Sequence, residues 1–195
     1  MGRIQVCDSF VLLLSLLFLA DDQHNLWLFL AAAGLHEGGH YFALRCVGGK
    51  LIDLRLSAAG AVMRYRLRDS VPRRVVIAFA GPLANGVTAV MAAHLGAYPF
   101  AGANVILGIF NLLPILPLDG GMILYWLLCS FGHAAEQISV SAVILLGLAG
   151  VACAYSGHGV MPLMMAGILL TQQKNLQKYI KRDTILVYKK INRSV

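Results

Sequence analysis

Long apolar runs separated by short polar breaks fill most of the chain. They cover about residues 4–20, 26–47, 75–97, 104–129, 137–155 and 159–173. Runs of roughly 17–25 apolar residues are long enough to cross the hydrocarbon core of a bilayer as helices. The pattern therefore predicts an all-α polytopic membrane protein of about six transmembrane helices, the fourth broken by Pro114 and Pro117. Residues 50–69 differ. There Ile52, Leu54 and Leu56 alternate with Asp53, Arg55 and Ser57, and Met63, Tyr65 and Leu67 alternate with Arg64, Arg66 and Arg68. Period-two alternation on either side of residues 58–61 predicts a small β-hairpin between the second and third helices. Residues 1–173 thus read as one membrane domain and 174–195 as a basic tail too short to fold alone.

Composition sharpens this reading. Hydrophobic residues make up 58% of the 195-residue chain and charged residues 13%, about half the charged share of an ordinary soluble domain. Lys and Arg occur at Arg3, between Arg45 and Arg74, and from Lys174 to Arg193. With six crossings these regions share one side, which the positive-inside rule makes cytoplasmic. The expected localisation is an integral, multi-pass bacterial cell-membrane protein with both termini in the cytoplasm. The formal net charge of +7 has the same origin. No aromatic–basic platform accompanies it, so nucleic acid is not an expected partner. Cys7, Cys46, Cys129 and Cys153 are scattered and read as small buried hydrophobes. Phe18, at the −3 position of a cleavage after Ala20, does not suit a signal-peptide cleavage site, so that run is expected to remain as a helix.

The chemistry lies in two apolar runs. Leu35-His36-Glu37-Gly38-Gly39-His40 carries an H-E-x-x-H pattern. On a helix, His36 and His40 stand one turn apart on one face and can reach one metal ion, with Glu37 beside it to take a proton from water. An acid inside a membrane helix is costly and by default suggests a functional site. A catalytic zinc site also needs a third protein ligand and an open position. Asp119 offers that ligand, as the only acidic residue between Arg74 and His133. Gly38 and Gly39 weaken the helix but admit close approach of another backbone. Pro114, Pro117, Gly120 and Gly121 predict broken backbone beside a wet cavity.

His36-Glu37-x-x-His40, Ala80-Gly81-Pro82-Leu83-Ala84-Asn85 and Asn111-x-x-Pro114-x-x-Pro117-Leu118-Asp119-Gly120, in that order, resemble the site-2 protease family of intramembrane zinc metalloproteases. The subgroup it most resembles is the bacterial stage IV sporulation protease type, and neither an inserted PDZ domain nor a C-terminal CBS domain is expected here. The resemblance covers about residues 4–172. It implies one catalytic zinc ion held by His36, His40 and Asp119, and Glu37 as general base. Asn111 and Asn85 become candidates for substrate binding or transition-state support. The implied activity is cleavage of a transmembrane or membrane-associated protein near the cytoplasmic face, in regulated intramembrane proteolysis. The hairpin itself reads equally as a plain amphipathic surface ribbon or as an edge that receives the unwound substrate as an added strand, and the family resemblance favours the second. The alternatives are a metal-ion transporter of zinc/iron permease type and an inactive membrane scaffold.

Overall fold

The computed structural model describes residues 3–19, 21, 25–57, 60–67, 70–128, 133–156 and 163–173. The expected basic tail, the polar turn at Asp22 and His24, and His158 lie outside the described residues. A short strand, β1 (Arg3–Val6), leads into α1 (Asp8–Leu19) and then α2 (Leu26–Cys46). β2 (Lys50–Ser57) and β3 (Gly60–Arg66) follow, then α3 (Val71–His94), α4 (Tyr98–Asn111), α5 (Asp119–Leu127) and α6 (Ala134–Tyr155). A further helix among the described residues, α7, spans Leu163–Gln173.

The expected hairpin is present but belongs to a larger sheet. The order is β1-β2-β3, with β1 parallel and β3 antiparallel to β2. Residues 3–6 are thus strand rather than the start of the first helix. The alternation along β2 is also not strict. Leu51 pairs Tyr65 and Asp53 pairs Arg64, so Ile52 is the extra residue of a bulge and stands half exposed. Past the bulge Leu54 pairs Met63 and Leu56 pairs Ala61. Leu51, Met63, Tyr65 and Leu67 pack on Ala43, Leu44 and Ile77, which seats the sheet where α2 ends and α3 begins.

Of the six expected crossings, two described helices are long and apolar enough by themselves, Val71–His94 and Ala134–Tyr155. The 21-residue α2 is about 31 Å long, enough to span, but its motif dilutes its apolarity. α1 has 12 residues, and α4 and α5 have 14 and 9 with a break between them. The apolar surfaces point outward: Val76, Phe79, Leu83, Val87, Val90 and Met91 on α3, and Ile144, Leu145, Leu148 and Val151 on α6, are all about half exposed or more. Soluble monomers rarely show apolar patches larger than a few hundred Å². A lipid surround accounts for such helices.

The broken fourth segment finds its backbone hydrogen-bond partners within the protein. Pro114 and Pro117 remove two donors, and every other backbone N–H from Leu112 to Leu118 has a partner. Leu112 and Leu113 bond back into α4, Ile115 to Leu113 O, Leu118 to Ile115 O, and Leu116 to Ser139 Oγ on α6 at 2.7 Å. Ile115 is buried with Val143 of α6 and Ala166 and Leu169 of α7.

Candidate metal centre

The centre is built where α2, α3 and α5 meet. His36 and His40 lie on one face of α2, as their spacing requires, and both are buried. α3 answers with one face of its own. Residues 77, 81 and 85 recur every fourth position and so line up along that helix. Ile77 O accepts from His40 Nδ1 at 2.7 Å, and Asn85 Oδ1 meets His36 Nδ1 at 2.5 Å. Gly81 lies between them. A Cβ there would collide with both imidazoles, so only glycine lets α3 come this close. Gly39 returns the approach: a Cβ on it would stand 2.6 Å from Ala80 O, whereas one on Gly38 would meet nothing.

Asp119 enters from the first turn of α5. Its Oδ2 lies 3.0 Å from His36 Nε2 and 3.3 Å from His40 Nε2, and the two Nε2 atoms are 3.1 Å apart. A backbone carbonyl can only accept, so His40 Nδ1 carries its proton and the neutral ring turns a lone pair inward through Nε2. His36 does the same against Asn85 Oδ1. Asp119 Oδ2 is buried and makes no hydrogen bond among the described residues. Three electron-pair donors therefore face one another with no proton required between them. A cation reconciles them. Tetrahedral zinc, with bonds of about 2.0–2.1 Å, sets its ligand atoms roughly 3.3 Å apart, close to the three separations found. Among the described residues, His36, His40 and Asp119 form the one group of this kind.

The other sequence-derived candidates fall in different places. Glu37 follows the first histidine on α2 and is half-buried. Asn85 is wholly buried, with its amide nitrogen donating to Ala32 O and Asn104 Oδ1. Its polar atoms are therefore committed to the protein. Asn111 ends α4 and donates to Leu107 O, one turn back. That local bond ties it to its own helix. Sequence reasoning missed Asn104 and Ser139, although each is a polar residue in an apolar run, a pattern that signals a buried partner. It also missed the Ile77 carbonyl, which no side-chain pattern reveals.

The model of peptidase family M50 matches residues 97–153, a stretch that contains Asp119. A zinc metalloprotease from Methanocaldococcus jannaschii is 31% identical over 104 residues, covering 46% of this chain and 30% of the relative. The chain thus spans about a third of that relative's length. The solved site-2 protease from Methanocaldococcus jannaschii shares the fold, with a TM-score of 0.67 over 90% of this chain and 91% of that chain at 22% identity. The chain is thus similar to peptidase family M50 over residues 97–153 and to a zinc metalloprotease over about half its length, and it shares the fold of a solved site-2 protease.

Proposed function

We propose that this chain is a zinc-dependent intramembrane endopeptidase, with His36, His40 and Asp119 as the protein ligands of one catalytic zinc ion. The observation that carries the reading is the convergence of His36 Nε2, His40 Nε2 and the otherwise unpaired Asp119 Oδ2 at 3.0–3.3 Å. Zinc in this donor set supplies Lewis-acid activation of a water nucleophile. The chain's own residues do the rest. Glu37 takes the proton from the attacking water and returns it to the leaving amine. Asn85 and the Ile77 carbonyl hold the two imidazoles in register through their Nδ1 atoms. Such outer partners fix ring orientation and raise ligand basicity. Asn111, at the end of α4 and ahead of the proline loop, is a candidate to hold substrate backbone.

The substrate is a transmembrane or membrane-associated protein, cut near the cytoplasmic face in regulated intramembrane proteolysis. His40 and His36 lie roughly 7 and 13 Å along α2 from Arg45, which anchors the cytoplasmic end in the expected orientation. Among the described residues β3 is an edge strand, suited to accept an unwound substrate as a further strand. A short α3–α4 link, residues 95–97, suits the sporulation-protease subgroup, which has no PDZ insertion there. The transporter and inactive-scaffold alternatives are not favoured, since the comparisons point to peptidases and neither Glu37 nor a ligand is substituted.

The test compares purified wild type with Glu37→Gln on candidate membrane substrates, with bound zinc measured for both. The expected outcome is retained zinc and a fall in turnover of roughly 10²–10⁴-fold, the range that general acid–base catalysis supplies. Full turnover in the variant would remove the proton-transfer role.

A further inference from the structure

Behind His36, a line of polar groups crosses from α2 through α3 to α4. Asn85 and Asn104 are both fully buried in otherwise apolar surroundings. Asn104 Nδ2 donates to Phe100 O at 2.9 Å, Asn85 Nδ2 donates to Asn104 Oδ1 at 2.9 Å, and Asn85 Oδ1 faces His36 Nδ1. We propose that Asn104 is a positioning residue of the metal centre. Through Asn85 it locks His36 in the Nδ1–H tautomer and so aims the Nε2 lone pair at the ion. The inference rests on the proposed zinc site for what the tautomer serves, and on the hydrogen bonds alone for the tautomer itself.

The polarity of the line is set at its far end. Phe100 O is a backbone carbonyl and can only accept, so the Asn104 amide must turn its nitrogen there and its oxygen toward Asn85. That oxygen also only accepts, which commits Asn85 to present nitrogen to it. Ala32 O, a second backbone carbonyl, takes the other Asn85 proton at 3.2 Å. The remaining Asn85 atom is Oδ1, and it too only accepts. His36 Nδ1 must therefore carry the proton. Flipping either amide would set oxygen against oxygen in a buried site. Neither asparagine has a surface-exposed atom with which to bind substrate, so their effect on chemistry runs through His36.

A purely architectural role, hydrogen-bonding α3 to α4, would affect stability but neither the tautomer nor metal affinity. Two readouts separate the cases. Nitrogen-15 NMR of histidine-labelled, metal-free full chain in detergent, at alkaline pH, reports the His36 tautomer. Competition with a chromophoric chelator reports zinc affinity. Wild type is expected to show Nδ1–H at His36. Asn104→Leu keeps the volume but removes both bonds, and is expected to mix the tautomers and weaken zinc by about 10-fold, the lower end of outer-partner effects, because Ala32 O still restrains Asn85. Asn104→Asp, protonated in this apolar site, can donate to Phe100 O and accept from Asn85, and is expected to restore both readouts. Wild-type tautomer and zinc affinity in Asn104→Leu would overturn the proposal. So would an Nε2–H tautomer in the wild type, a result that holds even if Asn104→Leu fails to fold. Nδ1–H in a wild type that binds no zinc would remove the metal reading and leave the relay standing.

Discussion

Asp119 is the residue at which two distant stretches of sequence become one site. A carboxylate oxygen buried without a hydrogen bond is costly unless a cation neutralises it, more so within a membrane. Asp119→Asn keeps the shape and removes the charge. Zinc affinity is expected to fall by more than the roughly 10–100-fold that loss of an outer partner costs. Titration of the metal-free variant with zinc checks this, and wild-type affinity would send the search for a third ligand to Asn111. The convergence of His36, His40 and Asp119 was legible because its chemistry resides in side chains with fixed spacing: His36 and His40 by helical period, Asp119 by its isolation. The supporting contacts were less legible. The Ile77 carbonyl belongs to the backbone, and the commitment of Asn85 to His36 depends on how α3 docks, which no local pattern encodes.

At the scale of elements, the proline loop between α4 and α5 determines where Asp119 stands. Its one backbone donor satisfied from another helix is Leu116 N–H, which bonds Ser139 Oγ, and the same oxygen accepts from Gln173 Nε2 at 2.6 Å. Ser139→Ala leaves both donors buried without an acceptor and is expected to cost about 1–2 kcal/mol of stability. Thermal unfolding in detergent checks this, with Ser139→Thr, which keeps the hydroxyl, close to wild type. The loop's expected break was readable from Pro114 and Pro117; its protein-lined surroundings were not, because Ser139 and Gln173 reach it from later in the chain. The sheet shows a similar division. Alternation revealed two strands, whereas β1 is too short to signal itself and joins β2 through a long-range parallel pairing. On the sheet, Arg64 grips Asp53 with two bonds of 2.7 and 2.6 Å and holds its carboxyl below the usual range. A depressed carboxylate contributes stability above its unfolded pKa of about 3.9 and loses it as pH falls through the lower folded value. Amide exchange in β2 and β3 is therefore expected to be faster in Asp53→Asn than in wild type near neutrality. The difference should close as the pH drops below about 4. A gap that persisted unchanged in acid would assign the effect to packing rather than charge.

At the scale of the whole molecule, two gradients coincide. Apolar side chains cover the outward faces of α3 and α6, and the described cations gather at the sheet and at the helix ends beside it. Arg45 closes α2, Arg73 and Arg74 open α3, and Lys50 stands opposite Arg66 across β2 and β3. Cations in the first turn of α3 oppose the helix dipole, so local helix energetics do not explain them. The positive-inside rule does, if this end of the molecule is cytoplasmic. The metal centre then lies within the bilayer on the cytoplasmic side of its midplane, since Arg45 is only five residues beyond His40 and nine beyond His36. Single cysteines placed at Arg64, Lys189, Asp22 and His158, in a chain whose native cysteines are replaced, test this arrangement. In intact cells, an impermeant thiol reagent is expected to label positions 22 and 158 and to spare 64 and 189 until the membrane is opened. Labelling of position 64 from outside would invert the molecule, placing β3 and the helix ends beside it on the opposite face.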